Sequence, residues 1–315
     1  MKKDKFILIY EQVIKSLINE GGNAVPGVKR IKKEYIDNTV KKFKEEIINR
    51  FLGFDPGESV FLIGSTGKKP DSGDIDIALD SNILKDKNIL YALIKLNEIC
   101  SSQGYLSVIN TINYDMIHVA FPQVGNEKDT VQVDLLLTEY PEFAKFFMFS
   151  PTPEESKYKG AHRNELLHAL CTATTFKPIV PDETGKVVKW NQNDITSTGI
   201  YNQVKTLIDE NGNRLKYKNT DEDLEESYAK IIEEKPITHD VEKTIKDLVG
   251  NKFSVEDIST FEKLFDIIKN DKDFKYKNIS NKILEECAKS LNEKKDRLEF
   301  PVELEEYLKE ENNAK

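Results

Sequence analysis

Residues 59–80, which read SVFLIGSTGKKPDSGDIDIALD, decide the fold of this chain. An apolar run ends at the pair Gly64-Ser65, and a basic loop separates that pair from the alternation Asp74-Ile75-Asp76-Ile77. Successive side chains of a β-strand point to opposite faces, so the two aspartates share one face and the two isoleucines share the other. Two carboxylates held side by side repel each other unless a cation lies between them. The segment therefore predicts a strand that carries a metal site.

A third aspartate lies in a later β-rich stretch, residues 130–137, which read TVQVDLLL. Asp134 is the one charged residue of that stretch, and burying an unpaired carboxylate is expensive. A neighbouring strand that carries Asp74 and Asp76 around shared cations would remove this cost. Hard divalent ions such as Mg²⁺ bind a few carboxylates together with substrate phosphates. The three aspartates together predict a metal-and-phosphate site.

Over residues 59–137 the chain resembles the DNA polymerase β-like nucleotidyltransferase superfamily. The residues that carry the resemblance are, in order, Gly64, Ser65, Asp74, Asp76 and Asp134. The resemblance implies that the three aspartates are catalytic and hold Mg²⁺ or Mn²⁺, one ion bridging a nucleoside triphosphate such as ATP and a second activating an acceptor hydroxyl. It also implies that Ser65 and the amides after Gly64 bind phosphate oxygens. The reaction would transfer a nucleoside monophosphate and release pyrophosphate.

Four basic residues are candidates for neutralising the triphosphate. Lys68 and Lys69 lie in the loop, and each is also compatible with a free loop lysine. Lys159 and Arg163 lie in the run 151–175. The resemblance implies that this helical region completes the nucleotide pocket. Arginine suits bidentate phosphate recognition, whereas the alternative is a charge at a helix end. The same run is similar to one in nucleotidyltransferase-like proteins encoded by bacteriophages.

Two other interpretations of these segments are less favoured. Gly67-Lys68 is similar to the core of a Walker-type phosphate loop, but that motif requires a glycine and a serine or threonine where this chain has Leu62 and Lys69. His118 alternates with apolar residues on an expected strand, which favours a structural histidine. None of the four histidines forms a pair with cysteine or an acid at zinc-ligand spacing.

Composition limits the class of protein and its partners. At 38% hydrophobic and 32% charged residues, the 315-residue chain is typical of a soluble globular protein with a highly charged surface. No window approaches the roughly 18 apolar residues that a membrane span requires, so no membrane partner is expected. The N-terminal 20 residues have the spacing of an amphipathic helix and not of a signal peptide. Three widely spaced cysteines favour a reducing compartment, and we expect a cytoplasmic protein.

The charge of the chain is concentrated at one end. Residues 219–315 contain 17 basic and 26 acidic residues, which accounts for the whole net charge of −9. Holding a long duplex by phosphate contacts requires clustered lysine and arginine, so extended duplex binding is not expected. The composition remains compatible with one bound nucleotide, or with one nucleic-acid end in a local basic cleft.

The order of strand, acidic strand, helix (82–103), hairpin (105–121) and acidic strand predicts a mixed α/β (α+β) fold. The expected sheet is of nucleotidyltransferase type, flanked by helices, and a C-terminal helical subdomain follows it. Four regions are predicted: N-terminal helices (1–57), a catalytic core (58–150), a pocket-completing helix and hairpin region (151–218), and an acidic helical subdomain (219–315). Within the last region, helical spacing predicts a helix over 221–234, followed by a linker at 234–238.

Two functions of different classes follow from this sequence. The first is a metal-dependent nucleotidyltransferase whose acceptor is an RNA or tRNA end, a protein or a small molecule. The second is a catalytically silent nucleotidyltransferase-fold module used in binding or assembly. The sequence does not distinguish among the acceptors.

Overall fold

The computed structural model of this chain describes residues 24–110, 115–179, 189–208 and 228–314, and it divides into two compact units. The first unit is Met1–Lys145 and the second is Phe146–Lys315. A five-stranded sheet lies in the first unit and a four-stranded sheet lies in the second. The predicted mixed α+β class, with helices flanking a mixed sheet and a helical C-terminal region, is confirmed.

The described strands and helices of the first unit are β1 (Ile31–Lys32), α1 (Lys33–Phe43), α2 (Asn49–Leu52), β2 (Val60–Leu62), β3 (Asp71–Ser72), β4 (Asp74–Asp80), α3 (Ile89–Ser102), β5 (Ser107–Ile109), β6 (Met116–Gln123) and β7 (Asn126–Thr138). A π-helical turn, Lys44–Ile48, joins α1 to α2, so this part of the predicted N-terminal helices (1–57) is continuous from residue 33 to residue 52. Helix α4 (Pro141–Phe147) spans the boundary between the units. The helix expected over residues 5–20 lies outside the described residues.

The five-stranded sheet has the order β2-β4-β7-β6-β5. Strands β4 and β7 are parallel, and the other pairs are antiparallel. Ile75 and Ile77 of β4 are fully buried in the hydrophobic core, as the alternation predicts. A one-residue slip of β4 would move both isoleucines out of the core and both aspartates into it, so burial of the isoleucines determines the register.

Helix α3 packs its apolar face against this core. Leu93, Leu96 and Cys100 are buried, and the side chain of Asn88 caps the first turn by accepting a hydrogen bond from the backbone of Tyr91. The helix begins later than expected because residues 81–83 form a separate 3₁₀ turn. Among the described residues, no helix combines the length and the apolar character needed to cross a membrane.

The described strands and helices of the second unit are α5 (Gly160–Thr175), β8 (Lys177–Pro178), β9 (Lys189–Thr196), β10 (Gly199–Ile208), β11 (Tyr228–Thr238), α6 (Val241–Leu248), α7 (Phe261–Asn270), α8 (Ser280–Glu293) and α9 (Val302–Ala314). The strands form an antiparallel sheet in the order β11-β10-β9-β8. Helices α6 to α9 lie where the apolar spacing predicts them.

The helix predicted over 221–234 and the linker predicted at 234–238 are wrong within the described residues. Residues 228–238 form strand β11, which pairs along its length with β10. The β-branched pair Ile231-Ile232 and the cross-strand pairing outweigh the helical spacing of the charged residues. Residues 221–227, and residues 209–218 of the predicted helix and hairpin region, lie outside the described residues.

Candidate metal centre

Three aspartates from two parallel strands converge in the first unit. Asp76 of β4 lies directly opposite Asp134 of β7, and Asp74 lies opposite Gln132. One carboxylate oxygen from each of Asp74, Asp76 and Asp134 lies within 4.8 Å of the other two. A set made only of carboxylate oxygens suits a hard divalent cation such as Mg²⁺ or Mn²⁺. The residues present therefore fit the metal that the sequence predicts.

Electrostatic repulsion within this cluster is strong. Burial, followed by the charges of Asp74 and Asp134, raises the pKa of Asp76 well above its ordinary value. Burial and the charge of Asp134 also raise the pKa of Asp74, although the positive charge of Arg30 opposes the increase. A cation bound among these carboxylates would offset both the cost of burying their charges and the repulsion between them. The conditions that raise these pKa values therefore favour a bound cation.

Gly64 brings the backbone directly against Asp76. Its φ is +65°, and a Cβ at this position would lie 2.9 Å from Cγ of Asp76 and would overlap Oδ2. The next residues continue the contact: the Ser65 backbone amide favours the ionised form of Asp76 by hydrogen bonding, and Thr66 Oγ1 accepts a 2.8 Å hydrogen bond from the Asp76 backbone. The glycine is therefore required at this position by close approach as well as by its left-handed conformation.

Asp134 is held in place by two side chains. Nδ1 of His118 lies 2.8 Å from Oδ1 of Asp134, and Nε2 of Gln132 donates to both carboxylate oxygens at 2.8 and 3.1 Å. Oε1 of Gln132 in turn accepts a 3.1 Å hydrogen bond from the backbone of Val25, which determines which way the amide faces. This chain of hydrogen bonds fixes the orientation of the Asp134 carboxylate.

Sequence reasoning missed these supporting residues. His118, for which alternation favours a structural role, contacts Asp134 because β6 pairs with β7 in a register that puts the two residues opposite each other. Gln132 and Arg30 carry no motif. Arg30 binds Asp71 through Nε and Nη2 at 3.0 and 2.5 Å and lies beside Gly73 at the start of β4. Arg30 lies just before the short strand β1. Its position beside the start of β4 can be inferred only once β1 is known to pair with β3.

The predicted phosphate-binding residues occupy different surroundings. Ser65 is exposed at the bend, Lys68 is half-buried in the same loop, and Lys69 is exposed. The backbone of Lys68 donates to the carbonyl of Ser65 at 3.1 Å, which closes the loop beside Asp76. Lys159 lies in the second unit, is exposed, and precedes helix α5, where its backbone donates to Nδ1 of His162.

Arg163 is a buried residue of the second unit. Only 1% of it is exposed, and its guanidinium donates to the backbone carbonyls of Phe146 and Phe147 at 2.6 and 3.0 Å. Burial lowers the pKa of Arg163 to about 10. A triphosphate contact would require these hydrogen bonds to break, so Arg163 plays no part in the function proposed below.

The raised pKa values predict how the metal-free protein responds to pH. A carboxyl group with a higher pKa in the folded state than in the unfolded state stabilises the fold least when it is ionised. As the pH increases from about 4 to about 7, metal-free Asp76→Asn should therefore become more stable relative to the metal-free unsubstituted chain. The difference between their free energies of unfolding should grow by about 1.4 kcal/mol for each unit by which the folded state raises the pKa of Asp76. Chemical denaturation at a series of pH values, in the presence of a chelator, measures this difference.

Addition of Mg²⁺ provides the control for this experiment. Saturating Mg²⁺ at about pH 7 should stabilise the unsubstituted chain, because the cation neutralises the ionised carboxylates in place of a proton. The difference in free energy of unfolding between the two proteins should then disappear or change sign. A difference in stability between the two proteins that does not change with pH would show that the three carboxylates do not repel each other in the folded state.

Comparison with models of known protein families finds no match to this chain, and comparison with curated proteins finds none either. What the chain does is therefore inferred from the geometry of its own residues.

Proposed function

We propose that this chain is a metal-dependent nucleotidyltransferase, which transfers a nucleoside monophosphate from a nucleoside triphosphate to an acceptor hydroxyl and releases pyrophosphate. The observation that supports it most directly is the convergence of Asp74, Asp76 and Asp134 within 4.8 Å, beneath the bend at Gly64-Ser65. An exposed serine in a bend beside a cluster of carboxylates suits a ligand that combines phosphate with a divalent cation.

Asp74, Asp76 and Asp134 would hold the Mg²⁺ or Mn²⁺ ions. Bound divalent cations in such a site polarise phosphoryl oxygens, stabilise the leaving group and lower the pKa of a hydroxyl nucleophile. The protein contributes an arrangement that exists before the ligand binds. Because β4 and β7 are hydrogen-bonded neighbours, the separation of Asp76 and Asp134 depends on the sheet and not on a loop.

The residues around the triad have separate roles in this proposal. His118 and Gln132 hold the Asp134 carboxylate in one orientation. The hydroxyl of Ser65 binds phosphate oxygens at the exposed bend, while Lys68 and Lys69 supply positive charge along the same loop. Each of these roles needs only residues of the first unit.

The alternative of a silent binding module receives less support from the electrostatics. Burial and mutual repulsion raise the pKa values of Asp74 and Asp76, so ionising the cluster is unfavourable in the absence of a cation. Strained or repelling charges of this kind are concentrated at functional sites. A module that only binds a partner has no need of three repelling carboxylates held in register.

The test is incubation of the full chain with labelled nucleoside triphosphates, Mg²⁺ or Mn²⁺, and a panel of acceptors. The panel contains RNA and tRNA ends, protein substrates including the chain itself, and hydroxyl-bearing small molecules. We expect metal-dependent pyrophosphate release together with covalent label on one acceptor class. Binding of the triphosphate without pyrophosphate release for any acceptor would favour the silent module.

A further inference from the structure

A second polar cleft lies entirely within the second unit. It has a volume of about 490 Å³, opens to the surface, and is lined by helices α5 and α8 and by the sheet strands β9, β10 and β11. This volume is in the range of pockets that bind small molecules. The residues that line it and carry the argument below are Glu165, His168, Lys205, Glu286, Lys289 and Asp194. The cleft shares no residue with the aspartate triad.

Helix α5 presents a polar stripe to this cleft. Most of the helix is buried, yet Glu165, His168 and Thr172 follow one another at intervals of three and four residues and line the opening. Such spacing puts the three side chains on one helix face. A helix that needed only to pack against the sheet would place apolar residues on this face.

His168 and Asp194 form an oriented pair at the sheet side of the cleft. Nδ1 of His168 lies 2.7 Å from Oδ1 of Asp194. Burial raises the pKa of Asp194, but the hydrogen bond and charge of His168 and the charge of Lys205 outweigh it and lower the pKa overall. An ionised carboxylate only accepts hydrogen bonds, so Nδ1 of His168 is the donor in this pair and Nε2 is left for a ligand. Within the described residues, Nε2 has no hydrogen-bond partner.

Lys205 is a largely buried cation whose donors are not used. Its side chain is 17% exposed, and its Nζ lies 3.7 Å from Oδ2 of Asp194, which is an ion-pair distance but too long for a hydrogen bond. In the described parts of the chain, no hydrogen bond to this ammonium group is present. An ammonium group that is carried on a largely buried stem and keeps free donors in a polar cleft is suited to binding an anionic ligand.

The opposite wall, helix α8, is divided into satisfied and free groups. Ser290 of α8 and Lys294, which follows the helix, are satisfied, because they donate hydrogen bonds to Glu165 of α5 at 2.5 and 2.6 Å. By contrast, Glu286 and Lys289 line the cleft without an ion pair or hydrogen bond to any described residue. Among the described residues, the cleft therefore offers a ligand two ammonium groups (Lys205 and Lys289), two free carboxylates (Glu286 and Glu293) and one imidazole nitrogen.

We propose that this cleft binds a small phosphorylated sugar, with its phosphate on Lys205 and Lys289 and its hydroxyls on Glu286 and Nε2 of His168. Ammonium groups donate to phosphate oxygens, carboxylates accept from hydroxyls, and a hydroxyl can either donate to Nε2 of an imidazole or accept from it. Neither the phosphate nor the sugar alone would engage all the free groups of the cleft, because these groups include both donors and acceptors. The site is independent of the aspartate triad and of the function proposed for it.

Calorimetric titration of the full chain with ribose 5-phosphate, in the presence of a chelator, tests this site. We expect saturable binding of ribose 5-phosphate, and at least about tenfold weaker binding of ribose and of inorganic phosphate, each of which lacks one half of the contacts. Lys205→Met keeps the aliphatic stem and removes the ammonium group, and it should weaken binding by about tenfold or more. Glu286→Gln, on the partly exposed helix wall, should weaken binding as well and does not disturb a buried pair.

Two control variants test whether binding depends on this cleft alone. Lys235→Met removes an exposed lysine of β11 outside the cleft and should bind ribose 5-phosphate as the unsubstituted chain does. Asp76→Asn should also bind it normally, since the triad is not involved. The proposal is overturned if ribose 5-phosphate shows no saturable binding, if folded Lys205→Met and Glu286→Gln bind it unchanged, or if Asp76→Asn abolishes binding. Absence of nucleotidyl transfer, with binding of ribose 5-phosphate retained, would contradict the function proposed for the triad and not the proposal for this cleft.

Discussion

Asp76→Asn is expected to lower the rate of nucleotidyl transfer by at least about a thousandfold while the protein stays folded. The amide has the shape of the carboxylate but lacks its charge, so it is a much weaker ligand for a hard cation. Charge stabilisation by a metal is worth several kcal/mol in the transition state, and about 1.4 kcal/mol corresponds to a factor of ten in rate. Pyrophosphate release at saturating Mg²⁺ measures the loss, and circular dichroism verifies the fold.

Asp37→Asn is the matched control for this substitution. Asp37 lies exposed on helix α1 of the same unit, so the variant loses the same charge outside the triad. Its activity should equal that of the unsubstituted chain. Thermal unfolding adds a second measurement: Mg²⁺ should raise the Tm of Asp37→Asn but not that of Asp76→Asn. Full metal-dependent activity in Asp76→Asn would rule out the proposed role of the triad.

Gly64→Ala is expected to destabilise the protein by about 2–5 kcal/mol and to abolish stabilisation by Mg²⁺. Two effects contribute. The backbone at φ +65° disfavours any residue with a Cβ, and the added methyl group would overlap the carboxylate of Asp76. Relief of the overlap requires Asp76 or the bend to move, and either movement disrupts the geometry of the triad. Chemical denaturation with and without Mg²⁺ measures both consequences.

Gly67→Ala separates the two contributions, because Gly67 lies in the same loop at φ +72°. A Cβ there would meet only Cδ1 of Ile36, at 3.9 Å, which is ordinary van der Waals contact. This variant should therefore lose only about 1–2 kcal/mol, the cost of the left-handed backbone, and should keep its response to Mg²⁺. Equal effects of the two substitutions would show that contact between Gly64 and Asp76 does not matter for the site.

Much of the first unit could be predicted because its signals are local. Alternation over residues 74–77 requires a strand with acids on one face, and the isolated charge of Asp134 in an apolar run requires a polar neighbour. Turn residues and apolar spacing identified α3, the strands around it and the C-terminal helices. These patterns depend on the periodicity of the backbone, which any short segment displays without knowledge of its partners.

The failures occurred where a distant partner decides the structure. Strand β11 has the charged spacing of a helix but pairs with β10, and the pairing provides hydrogen bonds that the isolated segment lacks. Arg163 has the charge of a phosphate ligand, yet it is buried, and its Nη2 donates to the carbonyls of Phe146 and Phe147. In both cases a tertiary contact outweighed a local preference.

The sequence by itself determined that Asp74 and Asp76 share one face of β4, because side-chain direction along a strand depends only on its period of two. The tertiary structure alone decided that β4 and β7 are parallel neighbours with Asp76 opposite Asp134, and that His118 and Gln132 orient the third carboxylate. It also decided that His168 meets Asp194, 26 residues away. The physical reason is that strand order and register depend on burying the whole core at once, and no single segment contains that information.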